Sequence, residues 1–514
     1  MLKMRLLRVV RLFAISKRFN STSVKSVAVL GGGPSGAGAA KALFHENYFD
    51  KIKVFEKRSL FGGLWNYTEE TDNSTTPIPC ENANFDITPV LKNQGEYVWP
   101  APVYDFLDTN VPKDIMTYAD FPFPSHLPLF PHRSDVLKYM CEYAESIRHL
   151  VSFNTKVVHV EYQLDLGKWQ VISRPVIIET DGGSVPSEKF ADTTEYFDAV
   201  ILAIGNYDIP YIPNRIGMEQ WFKKYPNSIM HVKSYRKPNQ FKDAKGNILI
   251  VGNSASGGDL AFQLTTHLNR TIYKLKRSEN LLPAGENDLI VDLPDIEKFN
   301  YENKLITFKD GSVLENVDYI LFATGYLKSF PFLKLDSSKP PILTDGHKLH
   351  GIYEHVLLYN YPNLAIVGVP RFVLPTRTSE SQGIWISKVW SDKIKLPSKQ
   401  EMIDLELERI EVKGSGKQFH DLTFPEDVEY CNRLNNQILA SVEGLNHKGL
   451  IPKIWDKEQT ALKASIKNIK EAYIRYRVQT GKNASNYQEL IDAKVIDKLL
   501  IDDEELASYG FKFK

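Results

Sequence analysis

The run Val27-Ala28-Val29-Leu30-Gly31-Gly32-Gly33-Pro34-Ser35-Gly36 puts glycine at the first, third and sixth places of a turn behind an apolar segment. Glu56 follows twenty residues past Gly36. A second run, Ile248-Leu249-Ile250-Val251-Gly252-Asn253-Ser254-Ala255-Ser256-Gly257, repeats the pattern with Ser254 at the middle place. Twenty residues past Gly257 stands Arg277, preceded by Lys276. Such turns bring backbone N–H groups and the positive end of a helix dipole against a phosphate, where a bulkier side chain would block the approach. The residue closing each unit reads the ribose: an acid accepts bonds from the diol, and a base suits a ribose carrying a 2′-phosphate. Glu56 therefore points to FAD on the first unit, and Lys276 with Arg277 to NADPH on the second. Together they describe chemistry in which a pyridine nucleotide passes hydride to a flavin.

The elements needed to hold these residues are legible around them. Val24–Leu30 reads as a buried strand, Ala37–Glu46 as a helix and Ile52–Phe55 as a parallel strand, a full βαβ unit. Ile248–Val251, Gly258–Leu268 and Thr271–Leu275 repeat it. A helix is predicted over Arg133–Arg148, and strands over Val157–Tyr162, Trp169–Ser173 and Ala199–Ala203. Lys304–Phe308 and Asp318–Phe322 flank Lys309-Asp310-Gly311 as a predicted hairpin. Two apolar strands end in a small residue and glycine, at Ala203-Ile204-Gly205 and Ala323-Thr324-Gly325, on either side of the second unit. Such an ending suits a strand end packed against a cofactor.

The expected fold class is α/β, with two Rossmann-like dinucleotide-binding domains, the NADPH domain inserted into the FAD domain. The expected division is a basic leader over 1–24, the FAD domain over 25–208 and 327–445, the NADPH domain over 209–326, and a helical extension over 446–514. Residues 66–101, rich in Thr, Asn and Pro, are expected to form a long surface loop.

Composition narrows the function. Lys plus Arg equals Asp plus Glu at 63 each, which gives no electrostatic footprint for nucleic acid. Cys80, Cys141 and Cys431 are the only cysteines and form no Cys-x-x-Cys pair, which argues against a redox dithiol beside the flavin. No histidine spacing suggests a metal, and none is expected. No apolar run approaches the roughly 18 residues of a membrane span. Residues 1–24 carry Lys3, Arg5, Arg8, Arg11, Lys17 and Arg18 with no acid. A mitochondrial transit peptide fits that pattern, and a plain basic tail on a cytoplasmic protein is the alternative.

With both fingerprints, Gly62-Gly63-Leu64-Trp65 after Glu56, and Phe322-Ala323-Thr324-Gly325-Tyr326, the chain resembles the flavin-containing monooxygenases, in particular fungal-type members. The resemblance covers roughly residues 25–440. The family's identifying motif, Phe-x-Gly-x-x-x-His-x-x-x-Phe/Tyr-Lys/Arg, matches Tyr225 to Arg236. His231, Tyr235 and Arg236 are kept, Tyr225 replaces Phe and Asn227 replaces Gly. Baeyer–Villiger enzymes of the same class call for Trp where Tyr235 stands.

The resemblance implies FAD contacts at Gly31, Gly32, Gly33, Pro34, Ser35, Gly36, Glu56, Gly63, Leu64, Trp65, Thr109, Asn110 and Val111. It implies NADPH contacts at Gly252, Asn253, Ser254, Ser256, Gly257, Gly258, Asp259, Lys276 and Arg277, with Thr324, Gly325 and Gln382 as further cofactor contacts. Asn110 is the implied catalytic residue, its amide touching both flavin and NADP⁺. An amide suits that role because it donates and accepts without titrating.

The implied reaction is reduction of FAD by NADPH, addition of O₂ to flavin C4a, and oxygen transfer from the hydroperoxide to a soft nitrogen or sulfur. A small amine, thiol or sulfide and O₂ are then the expected partners, and self-association stays open. Baeyer–Villiger oxidation, amino-acid N-hydroxylation and an NADPH:quinone-type reductase remain as alternatives at this point.

Overall fold

The computed structural model describes residues 23–71, 76–83, 90–91, 97–180, 183–186, 191–276, 285, 287–444, 449–511 and 513. The basic leader and Arg277 lie outside them. Among the described residues the largest sheet has seven strands. Its centre is parallel: Ser26–Leu30 lies between Lys51–Phe55 and Ala199–Leu202, and Tyr361–Ile366 pairs beyond the latter. Both faces of this sheet are covered, as central parallel strands require. Val27 and Val29 pack with the helices Pro34–Glu46 and Pro375–Trp390, while Ala28 and Leu30 pack with Trp169, Val200 and Leu202 on the other face.

A second, all-parallel sheet of five strands runs in the order Ile229–His231, Val317–Phe322, Asn247–Val251, Ile272–Leu275 and Ile290–Leu293. The chain enters and leaves it at one place, because Ile209–Pro210 pairs antiparallel with Tyr326–Leu327.

Two sequence expectations change here. Leu305–Phe308 does not form a hairpin with Asp318–Phe322. Its partners are Val313–Glu315 and Ile296–Asn300. Asn316, with φ +51°, turns the chain out of that small sheet, so that Val317–Phe322 runs parallel beside Asn247–Val251. A strand ending in four mostly buried apolar residues belongs in a covered parallel sheet, not at the edge of a hairpin. The stretch 66–101 is not wholly a surface loop either. Cys80, Trp99 and Ala101 are buried, and Cys80 bridges to Ile212.

The motif at 225–236 forms an ordered connection into the second sheet. Asn227 adopts φ +68°, a left-handed conformation that Asn tolerates better than most residues. Arg236 donates to the carbonyls of Thr68, Glu70, Lys233 and Tyr235, at 2.6 to 2.9 Å, and so ties the 66–71 segment to this connection. His231 is buried, and its Nδ1 accepts from the Lys233 amide.

The helix Pro34–Glu46 is anchored at its far end by a buried ion cluster. Glu46 receives Lys388 and Lys393, each at 2.6 Å, with the Glu46 and Lys388 side chains 1% and 0% exposed. Burial alone would push the Glu46 carboxyl up, but the two ammonium groups hold it below its ordinary range. Glu46→Ala removes the carboxylate that two ammonium groups share in this buried cluster and should cost about 3–5 kcal/mol. Urea denaturation of the flavin-loaded protein checks this. A loss under about 1 kcal/mol would mean that the cluster does not anchor the helix.

Candidate cofactor and active site

Both glycine turns are built the same way. Each follows a central parallel strand, and its first glycine has positive φ, +106° at Gly31 and +127° at Gly252. A Cβ on Gly36 would lie 1.7 Å from the Gly31 carbonyl oxygen, and one on Gly257 would lie 2.2 Å from that of Gly252. The sixth-place glycines therefore let each helix start directly on its turn. The small residues at the paired strand ends complete the fit. A Cβ on Gly31 would meet the Ala203 carbonyl oxygen at 2.4 Å, and one on Gly252 would meet that of Ala323 at 2.5 Å. These strand endings thus serve the neighbouring glycine turn.

The helices Pro34–Glu46 and Ala255–Leu268 begin at Gly33 and Ser254, and neither start is capped by a side chain. Uncapped first-turn N–H groups beside a glycine cradle fit a pyrophosphate. Gly33 faces Gly63 so closely that a Cβ on Gly63 would sit 2.9 Å from the Gly33 Cα. The buried Glu56 accepts from the Gly32 amide at 2.6 Å and the Arg58 amide at 2.8 Å, which fixes its carboxylate beside the turn. Each oxygen keeps a further lone pair for a ribose hydroxyl.

A cavity of about 880 Å³ joins these parts. Among the sequence-predicted residues it is lined by Gly31, Gly33, Pro34, Ser35, Glu56, Gly63, Leu64, Trp65, Thr109, Asn110, Val111, Ser254 and Ser256. Its volume is at the upper end for a single ligand pocket, and it faces both turns at once. Asn110 sits half-buried on this wall. Thr109, just before it, is held through its amide by the Pro131 carbonyl at 3.0 Å and through its hydroxyl on the Val111 carbonyl at 2.9 Å.

Gly32, Gly36, Gly252 and Gly257 shape the turns without lining the cavity, and Gly258 is buried in the helix Ala255–Leu268, also off the wall. Several other expected contacts lie elsewhere. Gln382 is fully buried behind the wall, accepting from the Gly368 amide at 2.9 Å and donating to the Tyr430 hydroxyl at 2.8 Å. Thr378 and Ser379 line the cavity in its place, and the Ser379 hydroxyl meets that of Ser35 at 2.9 Å. The Thr324 hydroxyl donates to the Tyr211 carbonyl, and the Gly325 carbonyl accepts from the Tyr211 amide. These two residues brace the strand crossing, and Tyr326 reaches the cavity.

Asn253 accepts from Lys274, and Lys276 lies 3.6 Å from Asp292, outside the cavity wall. Asp259 is bonded to the Tyr104 hydroxyl and to Gln263, and burial pushes its carboxyl up to about 6. Tyr104, not Asp259, lines the cavity.

Other cavity residues escaped sequence reading. Trp99 lines it with its indole N–H on the Lys57 carbonyl, inside the stretch read as surface loop. Phe372 lines it with φ +62°, a conformation uncommon for a bulky residue and characteristic of functional walls. No motif marks either one. No helix among the described residues is long and apolar enough to cross a membrane.

Known proteins resemble this arrangement. A family profile described as Flavin-binding monooxygenase-like matches residues 92–282 and 290–444. The chain is 28% identical over 461 residues to the thiol-specific monooxygenase of Saccharomyces cerevisiae, spanning 87% of this chain and 92% of that protein. It is 30% identical over 430 residues to flavin-containing monooxygenase FMO GS-OX-like 9 of Arabidopsis thaliana, spanning 80% and 85%. The solved structure of S-allyl-L-cysteine S-oxygenase from Allium sativum shares the fold, with a TM-score of 0.69 at 24% identity over 92% of this chain and 98% of that one. This profile match over more than half of the chain, on a double α/β architecture, identifies the chain as a member of the flavin-binding monooxygenase-like family, an FAD-dependent monooxygenase.

Proposed function

We propose that this enzyme uses NADPH and O₂ to oxygenate soft sulfur or nitrogen atoms of small molecules. One observation carries the reading: both uncapped glycine turns and Asn110 line the same cavity, so a hydride donor and a flavin held there share one enclosure. Activation of O₂ is the chemistry that reduced FAD supplies, and the remaining work falls to the chain. The Gly33–Ser35 turn binds the FAD pyrophosphate, Glu56 its ribose, and the Ser254–Ser256 turn the NADPH pyrophosphate. Asn110 orients both ring systems. Apolar Leu107, Val111, Met116, Val373 and Leu374 on the same wall exclude water.

The substrate class is read from the chemistry of the reaction and from the relatives. A soft nucleophile takes oxygen without a dedicated acid–base pair at the reacting atom, and a curated relative of 28% identity carries a thiol-specific name. In this reading residues 25–208 and 327–445 form the FAD unit, and 209–326 form the NADPH unit. The test supplies NADPH and O₂ with a small thiol, a dialkyl sulfide, a tertiary amine, a cyclic ketone and a quinone. Product from sulfur or nitrogen supports the proposal. Ester from the ketone alone, or quinone reduction with no oxygenated product, overturns it.

Lys276 and Arg277 are proposed to select NADPH through its 2′-phosphate. Charge-assisted bonds predict that changing both to alanine raises the KM for NADPH about tenfold or more. The KM for NADH should move far less. Steady-state kinetics with both nucleotides check this, and equal catalytic efficiency with NADPH and NADH in the unmodified enzyme would refute the assignment.

A further inference from the structure

We propose that Lys470, in the C-terminal helix Ile466–Thr480, is a positioning residue for Asn110. Its Nζ donates to the Thr109 carbonyl at 2.7 Å, across 361 residues of sequence. That carbonyl belongs to the peptide unit joining Thr109 to Asn110, so the bond fixes the plane from which the Asn110 side chain projects. The inference rests on the role proposed above for Asn110.

Lys470 makes this contact from a buried site. Its ammonium lies 4.2 Å from the Phe130 ring centroid and 5.7 Å from that of Tyr473. Burial pulls its amine down to about 8, while Asp108 and Asp259 act in the opposite direction and Arg477 adds to the lowering. About two turns along the same helix, Arg477 pairs with Asp108 at 2.9 Å. The next segment adds further ties: Leu129 N–H donates to the Ala484 carbonyl at 2.8 Å, and Lys113 donates to that of Ser485 at 3.0 Å.

From the opposite side, Tyr104 bonds Asp259 and the Phe106 carbonyl accepts from Gln263, both on the helix of the second glycine turn. The Asn110 segment is therefore clamped between the second nucleotide unit and the C-terminal helix. Burying an ammonium is an expensive way to gain stability even with the Phe130 ring and the Asp108 and Asp259 carboxylates near it, and an apolar side chain would fill the same space. Orientation of the bonded peptide is what the ammonium adds. The family profile ends at residue 444, so this anchor comes from a part of the chain beyond the matched segment.

The test uses the full-length flavoprotein with Lys470→Met, Lys470→Arg and, as an exposed control on the same helix, Lys467→Met. The first readout is amide hydrogen exchange at Thr109 and Lys113, whose N–H groups are bonded to the Pro131 and Leu129 carbonyls. Losing a charged donor should speed exchange there at least about tenfold in Lys470→Met. Exchange across residues 26–46 and flavin content should stay unchanged. The second readout is the share of consumed NADPH that appears as hydrogen peroxide, which should rise in Lys470→Met while the rate of flavin bleaching by NADPH holds.

Lys470→Arg, which keeps a donor, should restore both readouts, and Lys467→Met should match the unmodified enzyme. If Lys470→Met does not fold, Arg477→Gln loosens the same segment through Asp108, and its exchange at Thr109 should rise by a smaller factor. Unchanged exchange in the folded variant, or exchange raised equally throughout the chain, overturns the proposal. Unchanged peroxide share with locally raised exchange overturns it when Asn110→Leu itself uncouples the enzyme. If Asn110→Leu also leaves coupling intact, the failure lies with the role given to Asn110.

Discussion

Asn110→Leu should yield an enzyme that still binds FAD and consumes NADPH but returns the oxygen as hydrogen peroxide. Asn110 lines the cavity shared by both glycine turns, and its backbone is fixed at Thr109 from two sides. Leucine keeps approximate size and removes both the donor and the acceptor. Loss of one preorganised polar contact at a reacting centre lowers turnover on the order of 10²-fold or more, so oxygenated product should fall by that factor. NADPH oxidation should fall much less, because the residues assigned to hold the two cofactors are untouched. The competing account makes Asn110 a turn residue whose loss costs about 1 kcal/mol of stability and nothing else. Paired product and peroxide assays on a folded, yellow variant separate the two, and unchanged coupling would show that the catalytic assignment is misplaced.

Gly36→Val and Gly257→Val should separate the two cofactors. At Gly36 even a methyl group would lie 1.7 Å from the Gly31 carbonyl oxygen, so the first turn cannot persist beside its helix. That variant should purify without flavin, and added FAD should not raise its melting temperature. The unmodified protein should gain about 2.7 kcal/mol with FAD at a hundred times its Kd. Gly257→Val, with its clash at 2.2 Å, should remain yellow and lose reduction by NADPH. Full flavin content in Gly36→Val, or normal reduction in Gly257→Val, would contradict the assignment of turn to cofactor.

What the sequence disclosed was what local chemistry determines. The two glycine turns, Glu56 and the apolar run Val27–Leu30 follow from spacing within a βαβ unit, and the structure builds them so. The sequence was less legible where distant partners decide. Asp318–Phe322 reads as half of a hairpin until Asn247–Val251 takes it as a parallel neighbour. Gln382 lies one helical turn from Thr378 and Ser379, and only packing against Tyr430 shows that it turns away from the cavity. Asp259 looked like a cofactor contact at a helix start, yet Tyr104, 155 residues earlier, takes its carboxylate. Trp99 sits amid Thr, Asn and Pro, a composition that hides a buried ring. Lys470 carries no local signal, since its meaning depends on a carbonyl 361 residues away.

Isotope labelling tests the central claim most directly. The flavin-loaded enzyme is given NADPH, ¹⁸O₂ and a dialkyl sulfide or tertiary amine, and the product is weighed by mass spectrometry. The proposal predicts one ¹⁸O atom in each sulfoxide or N-oxide molecule and one NADPH consumed per product. NADPH consumed with all of the ¹⁸O recovered as hydrogen peroxide or water, across thiols, sulfides and amines alike, would contradict it.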